Sequence, residues 1–160
     1  NFQNACESVY TGEATYAIIP IASTSDGRLN SFYRQIEKYE LSIVLCCDID
    51  SDDGENSTTF ALVYRDRVYI ETGGTPLYEC KITFDNITDL AGLADAAEYF
   101  GTTLESVEAL PVMFSGRANA FDMVFGLTGA EISGFFSYLA LEYPQTAAVG
   151  IYDRTEMTSS

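Results

Sequence analysis

Two stretches of this chain carry side chains suited to chemistry. The first, GEATYAIIPIASTSDG at residues 12–27, runs an apolar segment into a Pro-Ile turn and then into Ser23, Thr24 and Ser25, with no charge between Glu13 and Asp26. Hydroxyls at the end of a buried strand can hold an acid through hydrogen bonds. The second, DIDSDDGENSTTF at residues 48–60, places Asp50, Asp52, Asp53 and Glu55 ahead of Asn56, Thr58 and Thr59. Its carboxylates invite a calcium reading, but no Glu stands at the twelfth position counted from Asp48, so the helix-loop-helix calcium pattern is not met. The hydroxyls of Thr24, Ser25, Thr58 and Thr59 read either as a residual acid site or, as turn chemistry favours, as groups satisfied by nearby backbone. The chain has no His, and its four cysteines (Cys6, Cys46, Cys47 and Cys80) lack CxxC spacing. No metal or other cofactor is therefore expected, and the thiols read as free and structural.

The 160 residues suffice for one ordinary domain or two small ones. Acidic residues outnumber basic ones 24 to 8, for a formal net charge of −16. That balance argues against nucleic acid and anionic membrane as partners, since both call for clustered Lys and Arg. It says nothing about fold. No run approaches a membrane span, and no basic region followed by an apolar run opens the chain, so a soluble protein is expected. Its compartment reads as cytoplasmic, or as plastid stroma if a transit peptide has been removed. Sequons at Asn56 and Asn86 matter only in a secreted protein.

Elements that would position these residues follow from periodicity. Phe2, Ala5, Cys6 and Val9 recur at helical spacing before Gly12, with Asn1 as the expected cap. Residues 14–21 form a nearly continuous apolar run, expected as a strand buried on both faces. Leu29, Phe32, Tyr33 and Ile36 mark a second helix, and residues 41–47 another strand. The alternation predicts a parallel sheet with covering helices. SDDGENS reads as a polar turn before a strand at residues 58–64, and TGGTP as a linker. Beyond it the pattern predicts a strand at 78–84, a helix through Leu90, Leu93, Ala94 and Ala97 ended by Gly101, and an extended segment at 103–114 with Pro111 at an edge or bulge. A strand through Phe121, Met123, Phe125 and Leu127 follows. Next come a helix with Thr128 and Glu131 as capping box and Ile132, Phe135, Phe136 and Leu139 as buried face, and a strand at 147–152. The sum is βαββαβ, a ferredoxin-like unit.

With these residues in view, the chain resembles the prephenate dehydratase family in that family's own order, a catalytic region followed by an ACT regulatory domain. The family writes Pro-Ile-Glu-Asn-Ser/Thr and ends the loop on Gly; this chain keeps Pro20, Ile21, Thr24 and Gly27, with Ala22 and Ser23 at the Glu and Asn positions. Of the family's Asp-x-x-Asn-x-Thr-Arg-Phe signature it keeps Asp53, Asn56, Thr58 and Phe60, with Thr59 at the Arg position. The resemblance implies that the signature Thr acts in dehydration and that the Arg binds a substrate carboxylate. A hydroxyl cannot replace that charged, bidentate grip. The family's second lobe, inserted between these motifs, and its opening strands with a Gly-Pro-x-Gly-Thr-Phe loop have no counterpart in this stretch.

In the second half, TDLAGLADAAEYFGTTLESVEALP is similar to the ACT pattern, with Leu90, Gly101, Leu104, Val107, Glu108 and Pro111 in agreement. Thr88 and Asp89 stand where the family has Gly and Ala, and Ala109 and Leu110 where it has Ser and Arg. A branched Thr88 obstructs the backbone approach to a ligand that Gly permits. The expected architecture is thus α/β: a truncated periplasmic-binding-protein-like lobe of prephenate dehydratase type at 1–71, a linker at 72–77, a ferredoxin-like ACT domain at 78–153 and a tail at 154–160. The site residues implied by the resemblance are Thr58, Thr24 and Asn56 for catalysis and Thr88, Asp89, Leu90 and Glu108 for an aromatic amino acid ligand. By the residues alone, Glu108 equally suits a solvent-facing strand end. Three functions are weighed. The first is a catalytically inactive binding, regulatory or assembly subunit, a homodimer through the ACT domain. The second is an active dehydratase converting prephenate to phenylpyruvate for phenylalanine biosynthesis, completed by a partner chain. The third is a scaffold in a larger complex.

Overall fold

The computed structural model describes residues 2–25, 27–28, 31–66, 68–110 and 119–157. Two compact units divide the chain: the first comprises residues 1–74 with 150–160, and the second is Thr75–Val149.

In the first unit, α1 (Phe2–Thr11) leads to β1 (Ala17–Ser23), the short β2 (Gly27–Arg28), α2 (Ser31–Lys38), β3 (Ser42–Asp50) and β4 (Ser57–Tyr64). The sheet order is β2-β1-β4-β3-β8, where β8 (Ala147–Met157) contributes its later residues. The expectation of an all-parallel sheet is corrected. The turn at Ser51–Asn56 closes through Ser51 N–H to the Asn56 carbonyl (2.7 Å) and Gly54 N–H to the Ser51 carbonyl (2.9 Å), with Gly54 at φ 69°. It folds β4 back antiparallel to β3, and β4 then pairs antiparallel with β1 as well. β1 and β3 do run in the same direction, as a helical crossover through α2 requires, but β4 lies between them. β3 and β8 form a parallel pair, Leu45–Ile49 against Asp153–Met157.

β1 is also not buried on both faces. It starts at Ala17 and alternates, with Ile19 and Ile21 at 1% exposure and Ile18 at 69%. Cys6, Val9, Phe32 and Ile36, on α1 and α2, are buried against the face that carries Ile19, Ala61 and Ile43. Asn1 and Leu29 lie outside the described residues.

The second unit holds β5 (Thr75–Thr83), α3 (Asp89–Tyr99), β6 (Thr103–Ala109), β7 (Ala120–Gly126), α4 (Ile132–Glu142) and the start of β8. Its sheet order is β8-β5-β7-β6, antiparallel at β5–β7 and β6–β7. Phe125 and Phe135, both fully buried, meet edge to face at 5.0 Å and anchor the core with Met123, Leu93 and Leu139. α3 ends as the sequence predicts. Gly101 takes φ 78°, donates to the Glu98 carbonyl, and no Cβ hinders it.

Other expectations shift. Thr75 and Pro76 belong to β5, since proline is tolerated at the first positions of a strand, and the Pro76 carbonyl accepts from Leu127 N–H. The cap of α4 is Glu131, whose carboxylate accepts from Gly134 N–H at 2.7 Å; Thr128 lies upstream of it, and Ile132 is 40% exposed. β8 runs past Tyr152 to Met157 because its polar end pairs with β3, so four residues of the expected tail are strand. Pro111 lies outside the described residues. No described helix is long and apolar enough to cross a membrane.

Candidate functional site

The carboxyl ends of β1 and β3 and the start of β4 bring the first set of expected residues together. Open α/β sheets bind ligands at this end of their strands. Register puts Thr58 opposite both Ser23 and Ile49, and Thr59 opposite both Ala22 and Asp48. Thr24 N–H donates to the Ser57 carbonyl (3.0 Å), Ser57 N–H donates to Thr24 Oγ1 (3.0 Å), and Thr24 Oγ1 donates to Asn56 Oδ1 (3.2 Å). Thr24, Asn56 and Thr58 thus lie close together, and Thr24 and Asn56 hydrogen-bond to each other and to backbone. Ser23 and Ser25 share a hydroxyl–hydroxyl contact at 3.2 Å.

In the neighbouring turn, the Ser51 hydroxyl and Glu55 N–H both donate to Asp53 Oδ1, and Ser51 leads the interactions that hold the Asp53 carboxyl below the usual range. Among the described residues no three of His, Cys, Asp and Glu converge on a common point as metal ligands would.

The chemistry missing from the cluster lies one position away, on the opposite side of β4. Thr59 donates to Asp48 Oδ1, and Arg154 of β8 grips the same carboxylate through Nε to Oδ2 (2.7 Å) and Nη2 to Oδ1 (3.0 Å). The Asp48 side chain is 12% exposed and that of Arg154 47%. Hydrogen bonding to Asp48 raises the guanidinium pKa above its ordinary value. A guanidinium thus sits beside Thr59, delivered from a strand almost a hundred residues later and already bound to a carboxylate. Sequence reasoning missed it, because a pairing across that separation leaves no local pattern.

A second network was missed for the same reason. Asp153, 1% exposed, accepts from Thr72 N–H (2.7 Å), the Thr72 hydroxyl (3.3 Å) and the Tyr69 hydroxyl. Burial raises the Asp153 pKa, but the Tyr69 and Thr72 hydrogen bonds outweigh it and leave the carboxyl below its usual range. The same hydrogen bond pushes the Tyr69 phenol up to about 12. The available signal was an Asp inside the apolar run AAVGIYD, since a buried carboxylate needs donors.

In the second unit the expected ligand residues occupy different elements. Thr88 caps α3 in helical conformation without a side-chain capping bond, and Thr88 N–H donates to Asn86 Oδ1 at 3.1 Å. Asp89 and Leu90 begin α3, whereas Glu108 stands on β6 opposite Asp122 of β7. Asp89 lines a cavity of about 450 Å³ with Ile82, Thr83, Asp85, Glu142, Tyr143 and the loop that follows to Thr146. The volume is that of a small-molecule site. Its lining offers three carboxylates, a phenol and an amide but no Lys or Arg, so its field suits an amine better than a carboxylate. Burial, followed by Tyr138 and the charges of Asp89 and Glu142, pushes the Tyr143 phenol up to about 12.

The fold is similar to that of prephenate dehydratase. The enzyme of that name from Streptococcus mutans superposes with a TM-score of 0.80 at 13% identity, covering 97% of this chain and 83% of that one. Prephenate dehydratase from Arthrobacter aurescens, in complex with L-Phe, gives 0.73 at 16% identity over 95% of this chain and 79% of that one. GqqA, described as a novel type of quorum quenching acylase, gives 0.73 at 15% identity over 96% and 79%. No family model matches the sequence, and no curated protein matches it. At these identities the likeness is one of fold, and a dehydratase and an acylase on one fold show that activity must be argued from the site.

Proposed function

We propose that the chain is a prephenate dehydratase-like protein whose second unit is an ACT domain, and that it works as a non-catalytic binding, regulatory or assembly subunit. The observation that carries this reading is the state of Arg154. A dehydratase must hold a dianionic acid against its hydroxyls, and a guanidinium is the group that orients such a carboxylate. Arg154 is the guanidinium found beside Thr59, and Asp48 already occupies its Nε–Nη2 edge. Thr24 and Asn56 are likewise engaged with each other. An ACT assignment of the second unit draws support from its βαββαβ order and its β8-β5-β7-β6 sheet, with β6 at the edge among the described residues, where two copies would form the homodimer. An aromatic amino acid remains the ligand implied by the ACT resemblance, although the acidic cavity beside Asp89 opposes an α-carboxylate there.

The test is conversion of prephenate to phenylpyruvate by the purified protein. The expected result is a rate equal to the uncatalysed one; turnover abolished by Thr58→Ala contradicts the reading. A second reading, an active dehydratase completed by another chain, is favoured by one observation, the position of Thr58 beside Ser23 at the carboxyl end of the sheet. It requires Thr58→Ala to lose rate in the reconstituted complex, and an unchanged rate rules it out.

A further inference from the structure

The sheet of the first unit is apolar on both faces, and its described helices cover one. On the covered face Ile19, Ile43, Ala61 and Val63 are at most 1% exposed beneath α1 and α2. Register places Ile18, Leu62, Phe60 and Ile49 on the other face. There Ile18 is 69% and Ile49 41% exposed, and Tyr16, 43% exposed, stacks against Tyr64 at 4.8 Å. A sheet face meant for water alternates to polar residues, whereas an apolar second face belongs to a sheet with a layer on each side. On the β8 side the segment holding Tyr69 and Thr72 reaches Asp153; over β1 and β4 no described residue covers Ile18.

Charge around this patch selects its occupant. Within it, β1 and β4 present no charged side chain, but beyond Ile49 the turn sets out Asp50, Asp52, Asp53 and Glu55, and Glu13 precedes Tyr16 at the other end, all exposed. Ser51 and the Glu55 amide keep Asp53 ionised. Arg65 and Asp66 follow Tyr64 as a neutral couple. An apolar strip with a carboxylate cluster beyond Ile49, and at its other end Glu13 and Asp66 offset by Arg65 and, in the sequence, by Arg67, on a chain of net charge −16, is complementary to a helix with an apolar stripe and Lys or Arg on the flank that meets the turn. A second copy of this chain would bring its own negative charge against the same rim.

We propose that the β1–β4 face centred on Ile18, Phe60 and Leu62 docks an amphipathic, basic helix of a partner protein. This is independent of whether the chain turns over prephenate: dehydratase activity would sink the proposed function and leave the docking face standing.

The test uses the full chain and a fluorescent 18-residue Leu/Lys peptide with leucines at helical i, i+3, i+4 spacing, beside a scrambled peptide of the same composition. Anisotropy should show saturable binding at least tenfold tighter for the ordered peptide. Ile18→Glu should weaken it at least tenfold although it adds a negative charge. Because Ile18 is exposed, folding should be unaffected, and Ile49→Glu, checked by circular dichroism, serves as the second variant. Equal binding of the scrambled peptide, or unchanged or tighter binding to Ile18→Glu, overturns the proposal in favour of charge attraction alone. Concentration-dependent dimerisation of the protein that Ile18→Glu abolishes overturns it in favour of a second copy.

Discussion

In the first unit the carboxylates that enter the sheet are answered from within it: Asp48 by Thr59 and Arg154, Asp153 by Tyr69 and Thr72. In the second unit Asp85, Asp89 and Glu142 stand around a cavity whose lining supplies no cation. Buried carboxylates survive only when donors meet them, so the first arrangement is a finished structural network. The second leaves its field directed at whatever enters. At the carboxyl end of the first sheet, then, charge holds strands together. The less conspicuous loop between α4 and β8 keeps charge available.

The largest expected effect separates core from network. Phe135→Ala should cost the second unit about 3–5 kcal/mol, because a fully buried ring that packs on Phe125 leaves a cavity. Denaturant unfolding checks this, and a cost near zero would mean that the aromatic cluster does not organise that unit. Asp153→Asn comes next. It keeps the shape but loses an ionic acceptor, and removal of hydrogen bonds to a buried charge costs about 1–3 kcal/mol. Arg154→Met should cost somewhat less, about 1–2 kcal/mol, since half of the Arg154 side chain is exposed and screened by solvent, although Asp48, 12% exposed, loses two donors.

The pH dependence sharpens the same contrast. The Asp153 carboxyl is depressed in the folded state, so its contribution is present above its unfolded pKa and is lost as pH falls through the folded value. Tyr69 is raised to about 12, so the contribution of its hydrogen bond is complete below about pH 10 and is lost as pH rises through about 12. Spectrophotometric titration of the phenols should show the Tyr69→Phe protein missing a late-ionising group, and an unchanged curve would contradict the Tyr69–Asp153 bond. The smallest effect is in thiol reactivity. Burial raises the Cys6 and Cys80 pKa values, with Asp122 and Glu79 adding to the rise at Cys80, while Cys47 is half-buried. Native alkylation followed by peptide mapping should find Cys47 labelled before either.

Local pattern made much of this structure legible. α3 with its Gly101 stop and the SDDGENS turn follow from spacing and turn chemistry. What escaped depended on distant partners. β4 lies between β1 and β3 because a tight turn sends it back, a choice that the helix–strand alternation does not encode. β8 continues through Arg154 because Asp48 awaits it on β3, so a polar stretch that reads as a tail is strand. Glu131 displaces Thr128 as the cap because its own carboxylate reaches Gly134 N–H. The cavity of the second unit draws its lining from residues separated by some sixty positions, with no motif to announce them.

Asp48 holds the guanidinium an acid would need, and calorimetric titration of phenylpyruvate into the wild-type protein and Asp48→Asn probes that grip. Asn can still accept from Thr59 while removing the charge that competes for Arg154. No measurable binding to the wild type is expected, and Asp48→Asn should gain binding that Arg154→Met added to that variant abolishes. Equal binding to wild type and Asp48→Asn would contradict it.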